Sequence, residues 1–399
     1  MKTKLFLFLL LVAATQLKAN NMLVKNVTTT GDNAANKTIQ VQFDMSWDNS
    51  WRDGINWDAA WVFMKFKNAN GLWQHVQLNT TGFANGTGTA NTIQVGSDKV
   101  GAFVYRSAAG TGTFSSTTMQ LQWNYGLSGL TSVTGLEVRV FAVEMVYVPQ
   151  GDFTIYSSII EPRERFTNFW DCNNNNCNLY APGNNTPVLN NRLSPSLNYN
   201  DSSESSVVRI KGDAGIDTDN NGTVDITTYP IGYNAFYCYK YKLTEQQYAD
   251  FLNTLTVTQK TTLGVAGNNI TLTNGEYFSA NPTIACANSS SKMLLAYADW
   301  SGVRPMTILE FNKANNGPLM PNIINPTYYG IWDFSGYPIE PCVGLINYAF
   351  TKVNGNGVLG STGATDISTW TTSMIHYFSF GCSFFQSNPY GFRYVRSAE

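Results

Sequence analysis

The stretch DTDNNGTVD (217–225) sets Asp217, Asp219 and Asn221 at alternate positions, then Gly222, then Asp225. Calcium takes about six to eight hard oxygens, and side chains at this spacing on a tight loop converge on one ion. Gly222 permits the sharp turn, and the Thr223 carbonyl supplies a backbone oxygen. The expected calcium set is therefore Asp217, Asp219, Asn221, Thr223 and Asp225, with a structural role. The loop departs from an EF-hand, because Thr228 stands at the twelfth position where a bidentate Glu belongs. An Asx-rich turn that binds nothing is the alternative.

The other residues with chemistry are six cysteines and two histidines. His75 and His376 lie far apart in the chain, so a His-rich iron or zinc centre has little to build on. Cys172 and Cys177 bracket the loop DCNNNNC and are the easiest pair to close as a local disulfide. No G-x-S-x-G or Walker sequence occurs, and nothing singles out two carboxylates for glycoside hydrolysis.

The chain that must position these groups has 399 residues, enough for two domains with separate cores. Only 13% are charged, the net charge is −2, and no Lys/Arg run appears, which sets nucleic acid aside as a partner. The 14% aromatic content, beside abundant Asn, Ser, Thr and Gly, suits a β-rich exported protein. MKTK followed by LFLFLLLVAA reads as a signal peptide over 1–19. The apolar run is too short to span a bilayer, and no later stretch serves as a transmembrane segment. The expected location is exported: extracellular, cell surface or periplasmic. In such a compartment the cysteines favour disulfides over metal clusters.

Residues 20–143 carry short alternating runs between Gly/Asn/Thr clusters: TIQVQFDMSW (38–47), AWVFMKFK (60–67), WQHVQL (73–78), GAFVYR (101–106), MQLQWNYG (119–126) and LEVRVFAVEMVYV (136–148). Their alternation and turn chemistry predict an antiparallel β-sandwich with one strand face in a core and one in water. The tryptophans of SWDNSWRDGINWDAAW offer a sugar-stacking platform, against the plainer reading of core and rim packing. After Pro149 the chain becomes loop-rich over 157–230. Three helices then stand out: LTEQQYADFLNTL with Thr244 and Gln247 as a capping box, SKMLLAYADWSG ending at Gly302, and MTILEFNKANNGP with Thr307 and Glu310.

EMVYVPQGDF (144–153), FYCYKYKLTEQQYADFLN (236–253), AYADWSGVRPMTILEFNKANNGP (296–318), YYGIWDFSG (328–336) and GFRYVR (391–396) occur in the order seen in formylglycine-generating-enzyme-like domains, also called sulfatase-modifying-factor domains, which 144–399 resembles. The resemblance implies an irregular α+β fold of C-type-lectin-like type, so the fold class expected for the whole chain is α+β, with the sandwich followed by this domain. Enzymes of the family bind copper through two cysteines near the C-terminus and oxidise a substrate cysteine. Here FGCSF (380–384) aligns with the family's GGSW turn and puts Cys382 on a glycine position. Only FQSNPY separates it from Gly391, so the segment that holds the redox pair is essentially missing. Cys342 and Cys382 are then disulfide candidates.

A non-catalytic binding or adhesion protein is expected, one that presents a lectin-like scaffold to a glycan, a peptide or a cell-surface protein. Tyr377, Phe378, Phe380, Phe384, Phe385 and Tyr390 are its candidate ligand-binding aromatics, with core packing as the alternative for each. The competing expectation is a copper oxidoreductase that acts on protein cysteine through Cys342 and Cys382.

Overall fold

The computed structural model describes residues 21–151, 153–154, 169–173, 176–179, 188–189, 208–210, 228–230, 232–287, 290–317, 325–334, 340–343, 350–370 and 391–398. The first half is entirely strands and turns: β1 (Leu23–Asn33), β2 (Thr38–Arg52), β3 (Asp58–Lys67), β4 (Trp73–His75), β5 (Thr87–Gly88), β6 (Asn91–Val95), β7 (Gly101–Arg106), β8 (Gly110–Asn124) and β9 (Glu137–Val148). Five short strands follow, β10 (Phe153–Thr154), β11 (Phe169–Asn173), β12 (Asn176–Leu179), β13 (Val188–Leu189) and β14 (Val208–Ile210), forming a β10–β13 pair and a β12-β11-β14 sheet. The remainder mixes β15 (Phe236–Tyr239), α1 (Glu245–Leu252), α2 (Val257–Leu263), β16 (Ile270–Thr273), β17 (Glu276–Ser279), α3 (Ser291–Trp300), β18 (Arg304–Pro305), α4 (Ile308–Asn316) and β19 (Tyr394–Ser397). The fold is thus β-rich α+β, built from antiparallel sheets with few helices.

Two sheets face each other. The smaller runs β1-β2-β8-β5, and the larger runs β18-β19-β15-β9-β3-β7-β6 with β4 added against β3. Between them lies one core, to which β2 gives Val41, Phe43, Met45 and Trp47, β8 gives Phe114, Met119, Leu121 and Trp123, and β3 gives Ala60, Val62, Met64 and Phe66. The alternation on β2 works as expected, inward side chains buried and outward ones partly solvated. On β3 it does not. Nine of its ten residues are buried, because the opposite face (Ala59, Trp61, Phe63) enters a second core with α1, α3 and β15. A strand with both faces covered reads as an apolar run rather than an alternating one.

The expected boundary at 144 falls inside β9. This strand pairs with β3 from Glu137 to Val146 and with β15 from Met145 to Val148. One sheet therefore continues from the sandwich into the second half, where β15, β19 and β18 extend it. Arg396 on β19 clamps the junction: it reaches Gly302 O and both oxygens of Asp98 (2.6 Å), over the Trp61 ring at 4.0 Å.

Both capping boxes expected for α1 and α4 are formed, Thr244 with Gln247 and Thr307 with Glu310. In the second, Arg304 grips both oxygens of Glu310 at 2.8 and 2.6 Å, so the cap is also a buried ion pair. Helix α3 ends before Gly302, whose φ of +72° is costly for any other residue.

Candidate functional site

The residues expected to hold calcium (Asp217, Asp219, Asn221, Thr223, Asp225) lie outside the described residues, as do the aromatics Tyr377, Phe378, Phe380, Phe384, Phe385 and Tyr390, the segment 1–19 and Cys382. Cys172 and Cys177 occupy opposed positions on β11 and β12. Cys342 is a free thiol, 1% exposed, in a chain region where a disulfide was expected. Burial first, then Glu340 and Cys238, push that thiol well above its ordinary range. Cys238 is also free, buried and shifted upward. A redox or metal-binding cysteine needs its thiolate stabilised, and these two environments do the reverse. Among the described residues no three His, Cys, Asp or Glu side chains gather as a metal set.

What the fold does bring together is an aromatic cleft of about 550 Å³. Its walls come from the end of β2 (Asn49, Trp51), the turn after it (Asp53, Asn56), the segment just after β15 (Lys240, Tyr241) and the 326–332 loop (Tyr328, Tyr329, Trp332). Of the tryptophans in SWDNSWRDGINWDAAW, only Trp51 lines it. Trp47 and Trp61 are core residues, and Trp57 stacks on Tyr147 at 4.1 Å. Trp47 and Trp61 are thus packed as core, Trp51 and Trp57 are packed partly buried against it, and Trp51 is the one of the four that lines the cleft.

Each wall is held from behind. Asp53 Oδ1 accepts from the Ile55 and Asn56 amides, shaping the turn. Asn56 Nδ2 donates to Tyr329 O at 2.8 Å, fastening the loop to the β2–β3 turn. Gly330, at φ +85°, lets that loop pass over Trp51: a Cβ there would lie 2.8 Å from the indole edge. The fold's closing segment does the same work, for Arg393 donates to Tyr239 O (2.7 Å), Lys240 O (2.9 Å) and Trp332 O (2.8 Å) while chelating Glu340. One buried guanidinium thereby joins β15, the Trp332 loop and Glu340.

Under Trp51 sits a buried charge cluster. Asp58 accepts from Trp47 Nε1 (3.1 Å), Ser50 Oγ (3.0 Å) and the Trp51 amide (3.0 Å). Lys240 Nζ donates to Glu144 at 2.6 Å and to Asp58 at 3.4 Å. Burial pushes the Glu144 carboxyl up to about 8, Lys240 opposes this, and Asp58 adds to it. With Glu144 protonated the cluster is electrically neutral. Burial, followed by the negative charge that Glu144 and Asp58 set against a phenolate, also raises the Tyr241 phenol, which stays a donor at neutral pH.

The arrangement has flat aromatic faces, with the Asp53 carboxylate and the Asn49 amide exposed beside them and the buried Asn56 fastened to the loop. It suits binding of a polar, uncharged surface that presents C–H faces between hydroxyls. Sequence reading missed Trp332, Tyr328 and Tyr241. Their only local signal was the aromatic density of FYCYKYK and YYGIWDFSG. Among the described residues no helix is long and apolar enough to cross a membrane. Comparison of the chain with protein-family models, with curated proteins and with solved structures gives no match.

Proposed function

We propose that the chain is an exported, non-catalytic binding protein, a β-sandwich followed by a formylglycine-generating-enzyme-like scaffold of C-type-lectin-like type, and that it binds a glycan in the Trp51–Trp332 cleft. The observation carrying this is the convergence of Trp51, Tyr241, Tyr328 and Trp332 around Asn49, Asp53 and Asn56. Stacking aromatics supply contact area at low entropy cost, and the amides and carboxylate orient hydroxyls. The competing oxidoreductase reading needs two accessible, acidic thiols, and the upward-shifted Cys342 argues against its share of that pair. Structural calcium in the 217–225 loop belongs to the same proposal, and a fall in melting temperature on adding a chelator tests it.

A glycan array probed with the wild-type protein and with Trp51→Ala and Trp332→Ala tests the cleft. Both side chains are only partly buried, so the variants fold. Loss of a central aromatic costs on the order of 2 kcal/mol of binding, about thirtyfold in affinity. Binding that persists undiminished in both variants, or no glycan binding by the wild type, overturns the proposal.

A further inference from the structure

A second cavity of about 350 Å³, sharing no residue with the aromatic cleft, opens between β4, the turn from α1 to α2, the end of α3 and the 356–359 loop. Its inner end carries His75 and Trp300, only 6% and 3% exposed. Neither ring nitrogen of His75 nor Nε1 of Trp300 completes a hydrogen bond. The Met64 and Trp300 carbonyls lie near enough to the imidazole to act as weak backbone acceptors, which favours its protonated form, but neither completes a well-formed hydrogen bond to it. Behind the ring stands Lys65, the cross-strand neighbour of His75. It is fully buried, its Nζ 5.1 Å from the centre of the Trp300 ring and without a hydrogen-bond acceptor.

Each buried polar group without a partner costs about 1–3 kcal/mol, and native interiors hold few of them. Here three side chains with such groups adjoin, and all three carry N–H groups. Asp299 acts on Lys65 through its charge, but its carboxylate is held by the Asn356 and Gly357 amides on Oδ1 (2.8 and 2.9 Å) and by Thr365 Oγ1 on Oδ2 (2.5 Å), and Lys65 Nζ, Trp300 Nε1 and the His75 nitrogens make no hydrogen bond to it. Arg396, which also faces the imidazole, is paired with Asp98. The Trp300 and Lys65 N–H groups have no acceptor, and the neutral imidazole sets one further N–H beside them. Burial holds Lys65 down at about 7 against the pull of Asp299, and holds His75 well below its usual value. The mouth has the opposite character: Leu72, Leu127 and Val358 line it at 43%, 51% and 56% exposure. Gly357 presses so closely on the imidazole that any Cβ would overlap the ring, which keeps the inner end narrow.

We propose that this cavity binds a small monocarboxylate with an apolar body. The carboxylate turns inward to accept from Trp300 and His75, with Lys65 as the charge behind them, and the body lies along Leu72, Leu127 and Val358. The ligand supplies the acceptors and counter-charge that the inner end lacks, and covers the exposed leucines and valine.

Hexanoate and 1-hexanol, which share an apolar body and differ in the head, are the probes. Each is titrated into the full chain while the imidazole carbon-bound protons are followed by NMR. The chain has only two histidines, so a His376→Gln variant assigns the His75 signals. Saturable binding of hexanoate that moves the His75 signals is expected, with hexanol at least about tenfold weaker. Leu72→Glu, at an exposed mouth position that tolerates charge, is expected to weaken hexanoate about tenfold through like-charge opposition, and Trp51→Ala to leave it unchanged. Absence of saturable hexanoate binding, equal binding of hexanol, undiminished binding by Leu72→Glu, or loss in Trp51→Ala overturns the proposal.

Discussion

Glu144→Gln tests the charge state of the platform beneath the cleft. Glu144, Asp58 and Lys240 place two carboxyls and one ammonium out of water, at 6%, 0% and 2% exposure. One ammonium cannot neutralise two carboxylates. The carboxyl of Glu144 accordingly titrates at about 8, against 4.5 for the free side chain, with burial as the largest cause. The folded protein holds a proton that the unfolded chain releases. This contribution to stability is complete below pH 4.5 and is lost as the pH rises through about 8. Each pH unit of displacement is worth ~1.4 kcal/mol, so the stabilisation from Glu144 declines by a few kcal/mol across that window. The Gln side chain has no proton to lose, and it keeps a carbonyl for Lys240 and an N–H for Asp58. Urea unfolding of both proteins, at pH values between about 5 and 8.5, reads the effect as a difference in unfolding free energy. Lys65 and Asp299 titrate alike in the two proteins and cancel. The wild type is expected to lose stability relative to the variant as pH rises. A difference that stays constant, or one that moves in the wild type's favour with rising pH, refutes a protonated Glu144.

Arg393→Met leaves Glu340 buried with, among the described residues, Lys242 at 3.6 Å as its ionic partner; it is expected to cost ~3–5 kcal/mol, read as a lower urea midpoint, and Arg393→Lys does not restore the three carbonyl contacts. Gly330→Ala forces a Cβ onto the Trp51 ring at a positive φ, so glycan affinity is expected to fall with a loss of about 1 kcal/mol in stability. Cys238 and Cys342 are buried and free, so a thiol reagent at neutral pH is expected to leave both unmodified until the protein is unfolded, as peptide mass mapping reads. Rapid native-state labelling of Cys342 would revive the oxidoreductase reading.

Local chemistry made much of the fold legible. The capping boxes of α1 and α4 and the alternation of β2 each depend on residues within a few positions of one another. The same signals were present and passed over elsewhere. Thr256 and Gln259 form the capping box of α2, and Asn274-Gly275, both at positive φ, turn β16 into β17, the pairing expected of a two-residue hairpin turn. Strand β3 misled for a different reason: its burial on both faces depends on the helices packed behind it, which no local pattern announces.

The sequence by itself determined the β-rich first half, the helix starts, the apolar cores and the scarcity of histidine, because composition, period and caps act over short range. It also carried Trp51 as a candidate, one tryptophan among four. Tertiary structure decided which of the four is available. It did so by running β9 through both halves, so that β2 and β15 end side by side and the 326–332 loop folds across them. The cleft, the buried Glu144–Lys240–Asp58 cluster and the unpartnered donors around His75 all arise between segments far apart in the chain. Their energies come from desolvation and close approach, which exist only once the layers have packed.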